Sequence, residues 1–512
     1  MKRRILAALA LAAAACFAGS QARADVKPHA LFSDGMVLQQ GMKCPIWGKA
    51  APGESVNVTF TATKTTANTA SSTAASAGVT ADQDGKWMVA IQVAPEMAGG
   101  PYEMVIKGKN TITLKNVYVG EVWICSGQSN MEMNLASCHN AQETIKNAKN
   151  PQIRLFTVPK HPSDKSVKSF IGDPKWVECN PNTVKNFSGV AYYFGRDLQK
   201  ARNVPVGLIH TSWGGTLAEA WTSRPVLESH EEWKNESINY HKAVEKYKDA
   251  VKSAKENGAK TPKSPTHANS PSALYNGMIA PLIPYAIKGA IWYQGESNAG
   301  QAYRYRKLFP TMIQNWRDDW KEGDFPFLFV QLAPWISRGD KSDRTWAELR
   351  EAQLLTTQNL KNTGMAVITD VGDAIDIHPK KKEPVGARLA LAALALGYGE
   401  KIEYAGPVFE SLKIEGDKAV LSFTHLGKGL EMKGENLQGF TVAGSDQVFH
   451  PAKAEIKGDK VVVRSDKVAK PVAVRYGWSN NPTVNLWNKD GLPATPFRTD
   501  DFPMVTRPKS AK

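Results

Sequence analysis

The chain has 512 residues, 42% hydrophobic and 22% charged, with a formal net charge of +15. That length implies roughly three domains at about 150 residues each, and the composition excludes a chain disordered on a large scale. The basic residues are scattered rather than clustered with aromatics, which argues against nucleic acid as a partner and leaves an acidic sugar or polymer compatible.

Residues 1–24 read as a cleavable signal peptide. Lys2-Arg3-Arg4 is the charged segment, 5–17 the apolar one, and Ala22-Arg23-Ala24 the cleavage signature. Removing the four basic residues Lys2, Arg3, Arg4 and Arg23 leaves +11 on a mature chain expected to begin at Asp25. No other run has the roughly 20 apolar residues of a membrane span, so a periplasmic or secreted protein is expected. Cys16 leaves with the leader. Cys44, Cys125, Cys138 and Cys179 remain, with Cys125 expected as a buried thiol and a Cys138–Cys179 disulfide possible in an oxidising compartment.

Residues 25–115 read as a small β domain. Runs such as Ser55-Val-Asn-Val-Thr-Phe60 and Lys86-Trp-Met-Val-Ala-Ile-Gln-Val93 alternate with period two, and Pro52-Gly53, Asp84-Gly85 and Gly99-Gly100-Pro101 mark turns. The Thr/Ala/Ser-rich tract 61–81 reads as an exposed loop.

Over 116–402 strands alternate with helices, which implies a parallel sheet with helices on both faces. Strands are expected at 117–124, 153–158, 204–210, 287–293, 325–333 and 365–369. Helices are expected at 189–201, 303–320, 345–359 and 384–396. A helical insertion at about 228–271 reads either as a lid near the site or as a helix packed on the flank. Residues 403–512 return to short strands split by Gly-Asp turns, a second β domain.

Open α/β sheets bind ligands at the carboxyl ends of their strands. Each element of a serine hydrolase is found at such an end. Ser129, after strand 117–124, is the candidate nucleophile. His378, on the loop after 365–369, is the candidate base; Pro379 behind it favours an extended backbone that projects the imidazole. The orienting carboxylate is Asp376, two residues before His378, or Glu296; Asp370 and Asp373 are further candidates, and Asp373 could simply cap the turn. Oxyanion donors are expected from the N–H groups of Ser129 and of Gly214 or Gly215, with Gln294 as a side-chain donor. The other histidines show no His-x-x-His or Glu-x-x-His pairing, which disfavours a metal-dependent deacetylase, and no metal is expected.

This set resembles the sialate O-acetylesterase family of the SGNH hydrolases. The resemblance rests on Phe32-Ser-Asp-Gly-Met-Val-Leu-Gln39, Gly120-Glu-Val-Trp-Ile-Cys-Ser-Gly-Gln-Ser-Asn-Met-Glu132 and Tyr275-Asn-Gly-Met-Ile279. It also rests on Lys288-Gly-Ala-Ile-Trp-Tyr-Gln-Gly-Glu-Ser-Asn-Ala299, Asp376-Ile-His-Pro-Lys380 and Gly491-Leu-Pro-Ala494. It implies a flavodoxin-like catalytic domain between two β-sandwich-like domains and removal of acetyl groups from sugars without a cofactor. The superfamily usually places Asp three residues before His, where this chain has Ile375. Its usual Asn block is replaced by Gln294-Gly-Glu, which makes Asn298 the alternative donor. The substrate implied is an O-acetylated sialic acid or an acetylated plant polysaccharide such as xylan. The competing reading, from another class, is an inert carbohydrate-binding protein using Trp47, Trp87, Trp478 and Trp487.

Overall fold

A long strand sets the architecture. In a computed structural model describing residues 25–62 and 73–508, strand β1 (Thr111–Gly127) runs for 17 residues. Its first half pairs antiparallel with Gly99–Lys107 in the N-terminal layer, and its second half is the central strand of a parallel sheet. That second half is buried on both faces from Val119 to Gly127, as a central parallel strand requires.

The remaining strands of this sheet are β2 (Asn150–Thr157), β3 (Val177–Cys179), β4 (Val206–Ser212), β5 (Gly289–Tyr293), β6 (Phe327–Val330) and β7 (Thr363–Ala366). The spatial order is β3-β2-β4-β1-β5-β6-β7, parallel throughout except for the edge strand β3. From β1 the chain crosses to β2 and the edge strand β3, returns to β4 beside β1, then passes β1 to β5 and builds outward on the other side. The crevice at the carboxyl end of β1 is therefore the topological switch point.

Helices cover both faces. On one, α2 (Gly189–Arg202) packs against α6 (Glu383–Ala392) over Trp123, Cys125, Leu208 and Ile291. On the other, α4 (Ala302–Trp320) and α5 (Thr345–Asn359) cover Trp292, Phe327 and Phe329, in a core that continues into the N-terminal layer. The insertion helix α3 (Glu231–Glu256) lies along the flank, tied by Lys307–Glu232 at 2.6 Å and Arg304–Glu236 at 3.0 Å. The loop after it reaches the site: Asn269 Nδ2 donates to Gly215 O and its Oδ1 accepts from Leu217 N–H.

The C-terminal region forms small antiparallel sheets around their own core of Leu421, Phe440, Val463 and Phe497. It is clamped to α5 by Arg498–Glu351 at 2.6 Å and by Arg350 donating to Ser479 O and Asn480 O.

Two expectations are corrected. Part of the tract read as a loop is the strand Thr73–Thr80, paired with Ser55–Ala62. Its small side chains hide the alternation, although Ala75, Ala77 and Val79 pack against the core. Cys138 and Cys179 are not bridged; all four described cysteines are free and buried. Cys138 Sγ donates to Asn134 O and Cys179 Sγ to Ala148 O, and burial pushes both thiols up, to about 11 and about 12. The signal-peptide residues 1–24 lie outside the described residues, as do 63–72 and 509–512.

Candidate active site

Gly127 ends β1 with φ +139°, and a Cβ there would stand 2.1 Å from Tyr293 O. Only glycine allows the chain to turn so close to β5. The turn delivers Ser129 as the first residue of the short helix α1 (Ser129–Glu132). Its N–H is one of the donors a helix start leaves without an intrahelical acceptor.

His378 comes from the irregular loop after β7. Asp373 Oδ1 accepts from the N–H groups of Ile375 and Asp376, and Asp376 Oδ1 accepts from His378 N–H at 2.9 Å. These successive turns aim the imidazole at the end of β1, where His378 Nε2 lies 2.8 Å from Ser129 Oγ. Two residues 249 positions apart thus meet in hydrogen-bond geometry.

The carboxylates separate by what they touch. Asp376 Oδ1 lies 3.7 Å from His378 Nδ1, beyond a hydrogen bond, and is half exposed. Asp370 is engaged by Arg388 at 2.6 and 2.8 Å, and Asp373 caps the turn. Glu296 does not reach His378. Its Oε1 accepts from Asn130 Nδ2 at 2.7 Å, and its Oε2 is buried without a partner. Burial raises the Glu296 pKa.

Two residues that the sequence reading passed over complete this layer. Asn130 Nδ2 also donates to Ile377 O at 2.9 Å, tying the loop before His378 to α1. Lys382, 1% exposed, donates from Nζ to Asn130 Oδ1 and stands 5.0 Å over the Tyr293 ring. Burial brings its pKa down to about 8, against the raising influence of Cys138, Glu296 and Asp376. His378 itself is held below its ordinary value, chiefly by desolvation; Asp376 opposes this and Lys382 adds to it. Lys382 sits in the run Lys380-Lys381-Lys382, which by composition looks like a solvated face. It is the N-cap residue of α6, and the contacts that bury it, Asn130 and Tyr293, come from distant segments.

The expected oxyanion donors fare differently. Gly214 is pressed against the nucleophile; a Cβ there would meet Ser129 Cβ and Glu132 Oε2, each at 3.2 Å. Its N–H donates to Glu132 Oε2 at 2.5 Å, and the other Glu132 oxygen is bound by Lys160. Gly215 has φ +72° with open space around its Cβ position, so it serves the turn rather than a close approach. Gln294 and Asn298 are spent inside the protein. Gln294 Nε2 donates to Thr216 O and Asn298 Oδ1, and its Oε1 accepts from Tyr305 Oη. Asn298 Oδ1 also accepts from Ala218 N–H, and its Nδ2 donates to Glu219. They brace the loop that carries Gly214 instead of presenting a donor beside Ser129. No group of three or more His, Cys, Asp or Glu that could hold a metal occurs among the described residues.

Residues 119–395 match a family model described as carbohydrate esterase, sialic acid-specific acetylesterase. The sialate O-acetylesterase of Homo sapiens is 30% identical over 501 residues, covering 90% of each chain. That of Rattus norvegicus is 31% identical over 510 residues, covering 90% of this chain and 92% of its own. A crystal structure of a carbohydrate acetylesterase from Xanthomonas citri superposes with a TM-score of 0.80 at 39% identity. The match covers 93% of this chain and 100% of that one.

Proposed function

The chain belongs to the sialic acid-specific acetylesterase family of carbohydrate esterases, and we propose that it removes O-acetyl groups from an acidic sugar through an acetyl-enzyme on Ser129. The approach of Ser129 Oγ to His378 Nε2 at 2.8 Å carries this reading, and it argues against an inert binding module. Ser129 Oγ attacks the acetyl carbonyl carbon while its proton passes to His378 Nε2. The tetrahedral adduct expels the sugar alkoxide, which takes that proton. Water then attacks the acetyl carbon, His378 accepts its proton and returns it to Ser129, and acetate leaves.

The low pKa of His378 supports its role, since only neutral imidazole can accept the proton. Asp376 is the orienting carboxylate, by proximity to Nδ1; a closure of under 1 Å brings it to hydrogen-bond length. Glu296 serves the layer below through Asn130. The oxyanion is taken by Ser129 N–H, joined by Gly214 N–H once the substrate oxygen displaces the Glu132 carboxylate that holds it. The positive charge of the chain favours an O-acetylated sialic acid over acetylated xylan as substrate. Residues 1–24 direct export to the periplasm or beyond. Among the described residues no helix is long and apolar enough to cross a membrane.

Ser129→Ala should lower kcat on an aryl acetate by at least about 10⁴-fold with the fold intact. Retained activity rejects the mechanism. Acetate release from O-acetylated sialic acid, set beside acetylated xylan, decides the substrate.

A further inference from the structure

A second cleft, of about 1400 Å³, opens where the N-terminal layer meets the face of the central sheet. Neither Ser129 nor His378 lines it. Its floor is aromatic. Half-buried Trp47 and Phe170 lie on either contact of His29, with ring centroids 5.2 and 5.1 Å away, and Met88, 49% exposed, extends the apolar wall.

The polar groups of this cleft are not balanced. Its acids are all engaged. Asp34 accepts from Lys115 N–H, Asp82 from Lys86 N–H, Asp173 pairs with Lys175, and Asp319 accepts from Tyr275 Oη and Asn315 Nδ2. Among its lysines, Lys86 and Lys175 pair with Asp84 and Asp173, and Lys49 donates to Asp84 O; the others are left over. Lys27, Lys168 and Lys321 are exposed at its mouth and pair with no carboxylate among the described residues. His29 adds an independent sign. It is 7% exposed, its Nδ1 accepts from Leu31 N–H, and its Nε2 is buried without a partner. With Nδ1 accepting, the ring proton sits on Nε2, a donor that lacks an acceptor. A buried donor left unsatisfied costs free energy, which sets His29 apart from the bonded acids of this cleft.

We propose that this cleft is a non-catalytic binding site for a carboxylate-bearing oligosaccharide, its sugar faces against Trp47 and Phe170 and its carboxylates among Lys27, Lys168 and Lys321. Flat aromatic faces suit the apolar face of a pyranose ring, and unpaired lysines suit an anion on a flexible chain. The volume exceeds that of common small-molecule pockets, as an oligomer rather than a monosaccharide needs. The site keeps a polymer at the enzyme between deacetylations, and it stands whether or not Ser129 is the nucleophile.

The experiment is calorimetric titration of the full chain with an unacetylated oligogalacturonate, beside a neutral xylo-oligosaccharide of equal length. The carboxylated oligomer should bind and the neutral one should bind at least roughly tenfold more weakly, with the difference shrinking as salt is raised. The double variant Lys168→Glu/Lys321→Glu should lose roughly tenfold or more in affinity while hydrolysing an aryl acetate at the unaltered rate. Both side chains are exposed, so the fold survives the change. Ser129→Ala should bind as tightly as the unsubstituted protein, which separates failure of this site from failure of the esterase mechanism. Absence of binding, equal binding of the neutral oligomer, or binding unaffected by the double variant overturns the proposal. So does equal binding of duplex DNA, or competitive inhibition of aryl acetate hydrolysis by the oligogalacturonate.

Discussion

The rim of the site and the layer beneath it hold the same kinds of group in opposite conditions. At the rim, His378 and Asp376 are 38% and 45% exposed by side chain, and the imidazole Nδ1 stands 3.7 Å from the carboxylate. Beneath it, Glu296, Asn130 and Lys382 are packed and bonded, with Glu296 and Asn130 at 2.7 Å. An ordinary serine-hydrolase triad has its carboxylate in the buried position. Here the buried carboxylate serves the scaffold and the exposed one faces the base. The difference teaches that burial and proximity to the imidazole point to different carboxylates, Glu296 and Asp376, so that only the effect of each on the chemistry can decide between them.

Amidation of each carboxylate breaks or keeps that contrast. Asp376→Asn should cost roughly 10- to 100-fold in kcat, short of the ~10⁴-fold loss when a fully bonded triad aspartate is amidated. Glu296→Gln should stay within about threefold, because the amide oxygen still accepts from Asn130. Steady-state kinetics on an aryl acetate check both, and the reverse ranking transfers the orienting role to Glu296.

Lys382→Met sharpens the same contrast through pH. The ammonium disfavours imidazolium and so contributes to the low pKa of His378. Without it that pKa rises, neutral imidazole is populated only at higher pH, and the acid limb of kcat/KM moves upward. A limb that stays in place or moves down rejects the electrostatic link between the layers.

The smallest effect is expected at Glu132→Gln. The loss of a carboxylate on Gly214 N–H eases entry of the substrate oxygen, so KM should fall by about two- to threefold with kcat little changed. A fall in kcat of more than tenfold would instead put Glu132 in the chemistry.

The strand ends that bring Ser129 and His378 together were legible in the sequence because buried parallel strands read as unbroken apolar runs. Gly214 was legible for a similar reason: a small residue after such a run marks a close approach, and here it lies against Ser129. The inward turn of Lys382 was not legible, since a lysine's burial depends on what packs over it and not on its neighbours in the chain. The partners of Gln294 were hidden for the same reason. Its place at the end of β5 suggested a free amide, but Thr216, Asn298 and Tyr305 converge on it from distant segments. The strand Thr73–Thr80 escaped notice because Ala, Ser and Gly give little alternation to read.

The length of β1 bears on how such enzymes can be recombined. One strand is hydrogen-bonded to the N-terminal layer in its first half and to the catalytic sheet in its second. A boundary at 115/116 falls within that strand. The two layers are therefore not interchangeable cassettes: a chimera that cuts there would sever the backbone ladder aligning Gly127, and with it the aim of the nucleophile. Exchange between relatives has to carry the strand whole, together with the turn at its end.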